Sequence, residues 1–214
     1  MVMKNKLGIT TSAELARVEE KLTKKAAKQL YDTGDIDKIE IGTFAGLAAI
    51  HKYLFQDVYE FAGEVRQVNL AKGSFTFAPV MYLQPSLAYI DQLPQSTFHE
   101  IIEKYVEMNV AHPFREGNGR SMRIWLDMLL RYTLAKVIDW SKIEKEDYLL
   151  AMSRSPIKDT ELKHLIRHAL TDDINAREVF LKGIDQSYYY EGYVTRSEER
   201  RVGKECRSRW SPYH

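Results

Sequence analysis

The chain has 214 residues, with 31 Lys and Arg against 30 Asp and Glu, a formal net charge of +1 and a single cysteine, Cys206. That length fits one domain with a sizeable core, near-neutral charge gives no support to a nucleic-acid-binding surface, and one cysteine leaves no intrachain disulfide or zinc–thiolate site. Residues 1–10 lack the apolar stretch of a signal peptide and no run approaches membrane-spanning length, so a soluble cytoplasmic protein is expected.

Helical periodicity dominates the chain. Residues 10–34, TTSAELARVEEKLTKKAAKQLYDTG, begin with capping-type residues and end at Gly34, the pattern of one helix. Residues 43–63, TFAGLAAIHKYLFQDVYEFAG, carry Leu47, Ile50, Leu54, Val58 and Phe61 at helical spacing and are apolar on most faces, which predicts a buried helix up to Gly63. The period then changes. Residues 64–79, EVRQVNLAKGSFTFAP, alternate, with Val65, Val68 and Leu70 before a Lys72-Gly73 turn and Phe75 and Phe77 after it. This predicts the one β-hairpin of a helical protein. A lone hairpin is marginal by itself, so it leans on helices or serves as a lid.

Helices resume over residues 82–92, break near Pro94 and return over 97–111. Residues 121–132, SMRIWLDMLLRY, are apolar nearly all round and predict the central buried helix. Further helices are expected over 144–153, 159–170 and about 174–193. The last nineteen residues, RSEERRVGKECRSRWSPYH, resemble, residue for residue, one reading frame through a common sequencing-library adapter. They are set aside as an artefactual tail without fixed structure. They hold six of the basic and three of the acidic residues, so the rest of the chain is net −2 and free of cysteine, which also removes a thiolate nucleophile. Residues 1–195 are expected to form one mainly α domain, and 196–214 the tail.

Two buried-type helices meet at HPFREGNGR, residues 112–120. Pro113 stops the first and Gly117-Asn118-Gly119 opens the second. Glycines there let backbone N–H groups turn inward, and a helix N-terminus adds positive dipole, which together make a cradle for phosphate. The Gly-Lys-Ser/Thr ending of a Walker loop is absent. Arg120 and Arg123 lie one turn apart and are expected over the same mouth. Two fork-shaped cations beside such a cradle suit a polyphosphate. Glu116 can hold a magnesium ion that bridges phosphates, and His112 is suited to accept a proton at neutral pH. Taken singly, each residue reads more readily as a cap, a core histidine, a turn or a surface ion pair; the combination carries the signal.

That combination, His-Pro-Phe-x-Glu-Gly-Asn-Gly-Arg-x-x-Arg, resembles the signature of Fic-domain proteins. Its nine constrained positions recur by chance with odds on the order of one in 10⁷ or less in a chain this long. IHKYLFQDVYEFAGEVR and KGSFTFA resemble the family's upstream helix and flap, so the resemblance covers about residues 8–193. It implies the Fic fold, a helical bundle around a central helix–loop–helix with one hairpin flap. It also implies transfer of AMP from ATP to a Tyr, Ser or Thr hydroxyl on a target protein. By that resemblance His112 deprotonates the hydroxyl and Glu116 positions Mg2+ on the diphosphate. Gly117, Asn118 and Gly119 hold the phosphates, Arg120 supports their β/γ portion, Arg123 clamps the γ-phosphate, and Phe114 is a core anchor. The flap residues Lys72, Gly73, Ser74, Phe75, Thr76 and Phe77 would register the target segment by strand addition. A phosphate-transferring branch of the family carries Lys where Gly119 stands, so glycine leaves room for the nucleotide orientation of AMP transfer.

A second stretch, SYYYEGY, residues 187–193, puts Ser187 and Glu191 four apart on one helix face. Ser-x-x-x-Glu-Gly resembles the family's inhibitory motif, which implies that Glu191 pairs with Arg123 where the γ-phosphate belongs. Tyr188, Tyr189 and Tyr190 are candidates for self-modification, or simply packing rings. The alternatives are a non-catalytic scaffold that binds nucleotide or a partner, and removal of AMP at the same site. Related short Fic proteins self-associate, and some modify type II topoisomerase subunits such as gyrase B, so a homo-oligomer and a target of that kind are further expectations.

Overall fold

The structure, a computed structural model, describes residues 2–72 and 75–191. Gly73 and Ser74 of the flap, Gly192 of the inhibitory pattern and the whole of 196–214 lie outside the described residues. Among the described residues eight α-helices dominate. They are α1 (Ser12–Asp32), α2 (Phe44–Phe55), α3 (Val80–Gln92), α4 (Phe98–Ala111), α5 (Asn118–Leu134), α6 (Lys145–Arg154), α7 (Thr160–Ala169) and α8 (Arg177–Tyr190). None of them is long and apolar enough to cross a membrane.

The helix apolar nearly all round is the centre of the bundle. α5 packs against α2, α4 and α8, and Ile124, Trp125, Leu126, Met128, Leu129 and Leu130 are all buried. The indole N–H of Trp125 donates to the Thr43 carbonyl at 3.1 Å, tying α5 to the start of α2. α4 opens on a capping box: Thr97 Oγ1 accepts from the Glu100 amide, and the Glu100 carboxylate accepts from the Thr97 amide. That satisfies two of the amides a helix start leaves without intrahelical partners.

Three elements differ from expectation. α2 ends at Phe55, not Gly63. The amides of Val58 and Tyr59 both bond to the Phe55 carbonyl, and the Val58 carbonyl accepts from Lys6 of the N-terminal segment. Val58 is therefore buried from a turn, not from a helix. The hairpin is shorter than its alternation suggested: β1 (Ala71–Lys72) pairs antiparallel with β2 (Phe75–Thr76) over two residue pairs only. Before β1 the amide of Arg66 bonds to the Pro113 carbonyl in the loop between α4 and α5, and the Leu70 carbonyl accepts from Phe77 just after β2. Nor is this the sole β pairing: β3 (Val137–Ile138) pairs with β4 (Leu170–Thr171) after α5 and α7. Two-residue strands carry too little alternation to be read from sequence.

Candidate active site

The loop between α4 and α5 is built by its own residues. His112 caps α4 in the left-handed region at φ 48°, followed at once by Pro113, which cannot continue the helix. Asn118 then fixes the loop: its Oδ1 accepts from the Phe114 amide at 2.8 Å and its Nδ2 donates to the Phe114 carbonyl at 2.7 Å. Gly117 sits at φ 77°, and a Cβ there would lie 2.4 Å from the ring of Phe55, so only glycine fits. Phe114 is fully buried and stacks on His51 at 3.8 Å.

This loop, the flap and the end of α8 enclose a cavity of about 760 Å³. His112, Glu116, Gly117, Asn118, Gly119 and Arg123 all line it, as do Lys72, Phe75, Phe77 and Glu191. The flap rests on His112, with the Phe77 ring stacked on the imidazole at 3.7 Å. His112 Nδ1 lies 3.3 Å from the Asn109 carbonyl. A ring that donates from Nδ1 to that oxygen keeps Nε2 free to take a proton. Burial pushes the His112 pKa down to about 4, so the ring is neutral at pH 7.

The two arginines part company. Arg123 lines the cavity; Arg120 is buried behind it, paired with Glu19 of α1 and, at 3.0 Å, with Glu116. The guanidinium of Arg120 lies 4.8 Å from the Phe55 ring and 5.2 Å from that of Tyr188. The expectation that both project over one mouth is thus met by Arg123 alone. Arg120 reaches the cavity through its partners Glu116 and Glu19, which both line it.

Arg123 is held by the last turn of α8. Its Nε donates to Ser187 Oγ at 2.7 Å, and one terminal nitrogen donates to the Ser187 carbonyl at 3.1 Å and to Glu191 Oε1 at 2.8 Å. Burial alone would raise the Glu191 pKa, but the adjacent charge of Arg123, with Arg120 and Lys72, holds it below its ordinary value. Glu191 Oε1 lies where a side chain on Gly119 would begin, 2.2 Å from a Cβ built there. The room that glycine leaves over the cradle is therefore filled by a carboxylate. Lys72 of the flap reaches the other oxygen of Glu191 at 3.9 Å.

The tyrosine run packs. The hydroxyl of Tyr188 meets Thr23 Oγ1 of α1. That of Tyr190 donates to the Ile143 carbonyl at 2.6 Å, and its ring stacks on Tyr148 at 4.8 Å. Tyr188 and Tyr190 are buried, and Tyr189 is half-buried.

Three residues that organise the site went unread in the sequence: Glu19, His51 and Arg66. Glu19 takes the Tyr59 hydroxyl and Arg120 together. Its signal was its place on the apolar stripe Leu15–Glu19–Thr23–Ala27 of α1, since a buried carboxylate requires a partner. His51 accepts from the Gly63 amide at Nδ1, 2.9 Å, and therefore donates from Nε2 to the Glu116 carbonyl at 2.8 Å. Burial lowers its pKa to about 4. A histidine neutral in the fold and ordinary when unfolded binds fewer protons folded, so stability is full above about pH 6.5 and falls as pH drops toward 4. By about pH 5 the loss from His51 is roughly 2 kcal/mol. Denaturant midpoints of the parent should fall more steeply from pH 7 to 5 than those of His51→Gln. Equal slopes would refute this reading of the ring.

Residues 43–130 match the model of the Fic/DOC family. A probable protein adenylyltransferase, y4lH, of Sinorhizobium fredii is 35% identical over 166 residues, 72% of this chain and 83% of the relative. The protein adenylyltransferase VbhT of Bartonella schoenbuchensis is 33% identical over 198 residues, 86% of this chain but 41% of that protein. Among solved structures, the BepC effector of Bartonella tribocorum with bound AMPPNP superposes with a TM-score of 0.64 at 20% identity, covering 80% of this chain and 93% of that one. The same helical fold, the motif gathered in one cavity and a relative aligned along most of both chains agree: the chain belongs to the Fic/DOC family.

Proposed function

We propose that this protein, an adenylyltransferase by family, rests in a self-inhibited state and transfers AMP to a target hydroxyl when Glu191 leaves Arg123. The observation that carries the reading is the Glu191–Arg123 pair lying over Gly119. A carboxylate there competes with the γ-phosphate for one guanidinium.

In the open site ATP lies with its phosphates on the α5 N-terminus, whose amides from Gly117 to Gly119 and positive dipole receive them. Arg123 takes the γ-phosphate. The residues present fit a magnesium ion: Glu116 is partly exposed in the cavity, and only its Oε1 accepts from Arg120 and the Gly117 amide. Among the described residues no cluster of three His, Cys, Asp or Glu could hold a metal alone, which suits an ion completed by substrate phosphates. Bound there, the ion would neutralise diphosphate charge. Arg120 and the His51 bond to its carbonyl hold Glu116 in place. The target hydroxyl attacks the α-phosphorus, forming an O–P bond as the bond to the β-phosphate oxygen breaks and pyrophosphate leaves. His112 Nε2 takes the hydroxyl proton. The β1–β2 edge aligns the target segment main chain to main chain.

The test is incubation of Glu191→Gly protein with ATP labelled at the α- or the γ-phosphate, in cell lysate and with purified gyrase B. Label from the α-position on a protein band supports the reading. Label from the γ-position alone means phosphate transfer. No label from either means a nucleotide-binding scaffold, and loss of label from a pre-modified band means the reverse reaction. A gyrase B band identifies a type II topoisomerase target.

A further inference from the structure

Arg66 is buried to 3% exposure, and among the described residues no acidic side chain is its partner. Its guanidinium bonds instead to backbone oxygens. Nε donates to the carbonyl of His112 at 2.8 Å, one terminal nitrogen to Val68 at 2.7 Å, and the other to Ala78 at 2.5 Å and Ala111 at 3.1 Å. Its own amide donates to Pro113 at 2.8 Å.

Those acceptors belong to two structures that must meet for the reaction. Val68 lies three residues before β1 and Ala78 two residues after β2, so they are the two roots of the flap. Ala111 and His112 end α4, where carbonyls lack intrahelical partners and the dipole is negative. One further bond runs the same way, from the Ala78 amide to Val110 of α4, while the Phe77 amide donates to Leu70 and closes the flap at its base. His112 is one of two non-glycine residues at positive φ among those described, a conformation that persists when its surroundings over-determine it. Only a planar fork of five N–H groups reaches this many carbonyls at once; an ammonium presents three donors from one point.

We propose that Arg66 is a positioning residue for AMP transfer, one guanidinium that joins both roots of the flap to the backbone carrying His112. The register between the aligned target segment and the base is then set by Arg66, with Phe77 stacked on His112 as the second contact. The inference rests on the adenylyltransferase reading and adds the part that places the target.

The experiment compares Glu191→Gly with Glu191→Gly, Arg66→Lys, using purified target and α-labelled ATP. The lysine variant should raise KM for the target about tenfold or more, because a flap held out of place aligns the target segment less well, while KM for ATP stays within about twofold since Arg66 does not line the cavity. A lower kcat with KM for the target unchanged would show a merely structural arginine and overturn the proposal. If Glu191→Gly itself transfers nothing, the functional reading fails separately. Amide exchange of the unaltered protein then decides for Arg66, as it does if the lysine variant does not fold. The amides of Phe77 and Ala78 should exchange at rates within about tenfold of the His112 amide, as one cooperative unit. Flap amides exchanging about 10³-fold faster would overturn the coupling.

Discussion

His112→Ala, made in the Glu191→Gly background, lowers AMP transfer to a target by about 10²–10⁴-fold, the usual cost of a lost general base. Binding of ATP persists, because the α5 amides and Arg123 do not depend on the imidazole. The ring is held for this role from three sides: the Asn109 carbonyl at Nδ1, the stacked Phe77, and Arg66 on its backbone carbonyl. Its pKa near 4 also shapes the pH profile. The base must be neutral, so activity is lost only as pH falls through that value, and kcat/KM should show no acid limb near 6.5. Alanine is strained at φ 48°, at roughly 1–2 kcal/mol, so a melting curve accompanies the assay to separate loss of base from loss of fold. Transfer by purified His112→Ala at near the background rate would rule out His112 as the base.

Glu191→Gly raises transfer by roughly 10–100-fold. A hydrogen bond to a charged group contributes about 1.5–3 kcal/mol, and each 1.4 kcal/mol is tenfold in the competent population. Both Ser187 bonds to Arg123 survive the substitution, so α8 keeps its seat. The variant should also be less stable, by roughly 1–3 kcal/mol, because Arg123 loses its carboxylate partner while still buried. More active and less stable is a signature that a change in packing alone does not give. Self-modification at Tyr188 or Tyr190 needs more than this. Their hydroxyls meet Thr23 and the Ile143 carbonyl, so label there would mean that α8 had left its seat.

The loop chemistry was legible because it is local: His112, Glu116 and Gly117–Gly119 lie within eight consecutive residues, and helix caps at either end dictate their shape. The Glu191–Arg123 pair spans 68 residues and was legible only through a resemblance to a known inhibitory pattern. Arg120 misled because spacing along a helix gives the angle between two side chains but not which neighbour each one meets. Its neighbour Glu19 lies 101 residues away. Val58 and Phe61 keep helical spacing while the backbone turns, so periodicity extends the predicted helix to Gly63 although α2 ends at Phe55. The alternating valines around Arg66 predict a strand, whereas Arg66 itself bonds to the end of α4 and the loop after it.

The most direct test of the account is the initial rate of α-label transfer to one target by the parent, Glu191→Gly, and Glu191→Gly, Arg123→Ala, over a range of ATP and magnesium concentrations. The account predicts slow transfer by the parent, transfer at least about tenfold faster by Glu191→Gly, and none by the double variant, which has lost the γ-phosphate clamp. Equal rates for the parent and Glu191→Gly at every ATP and magnesium concentration would contradict it, leaving the end of α8 as packing and not as a brake.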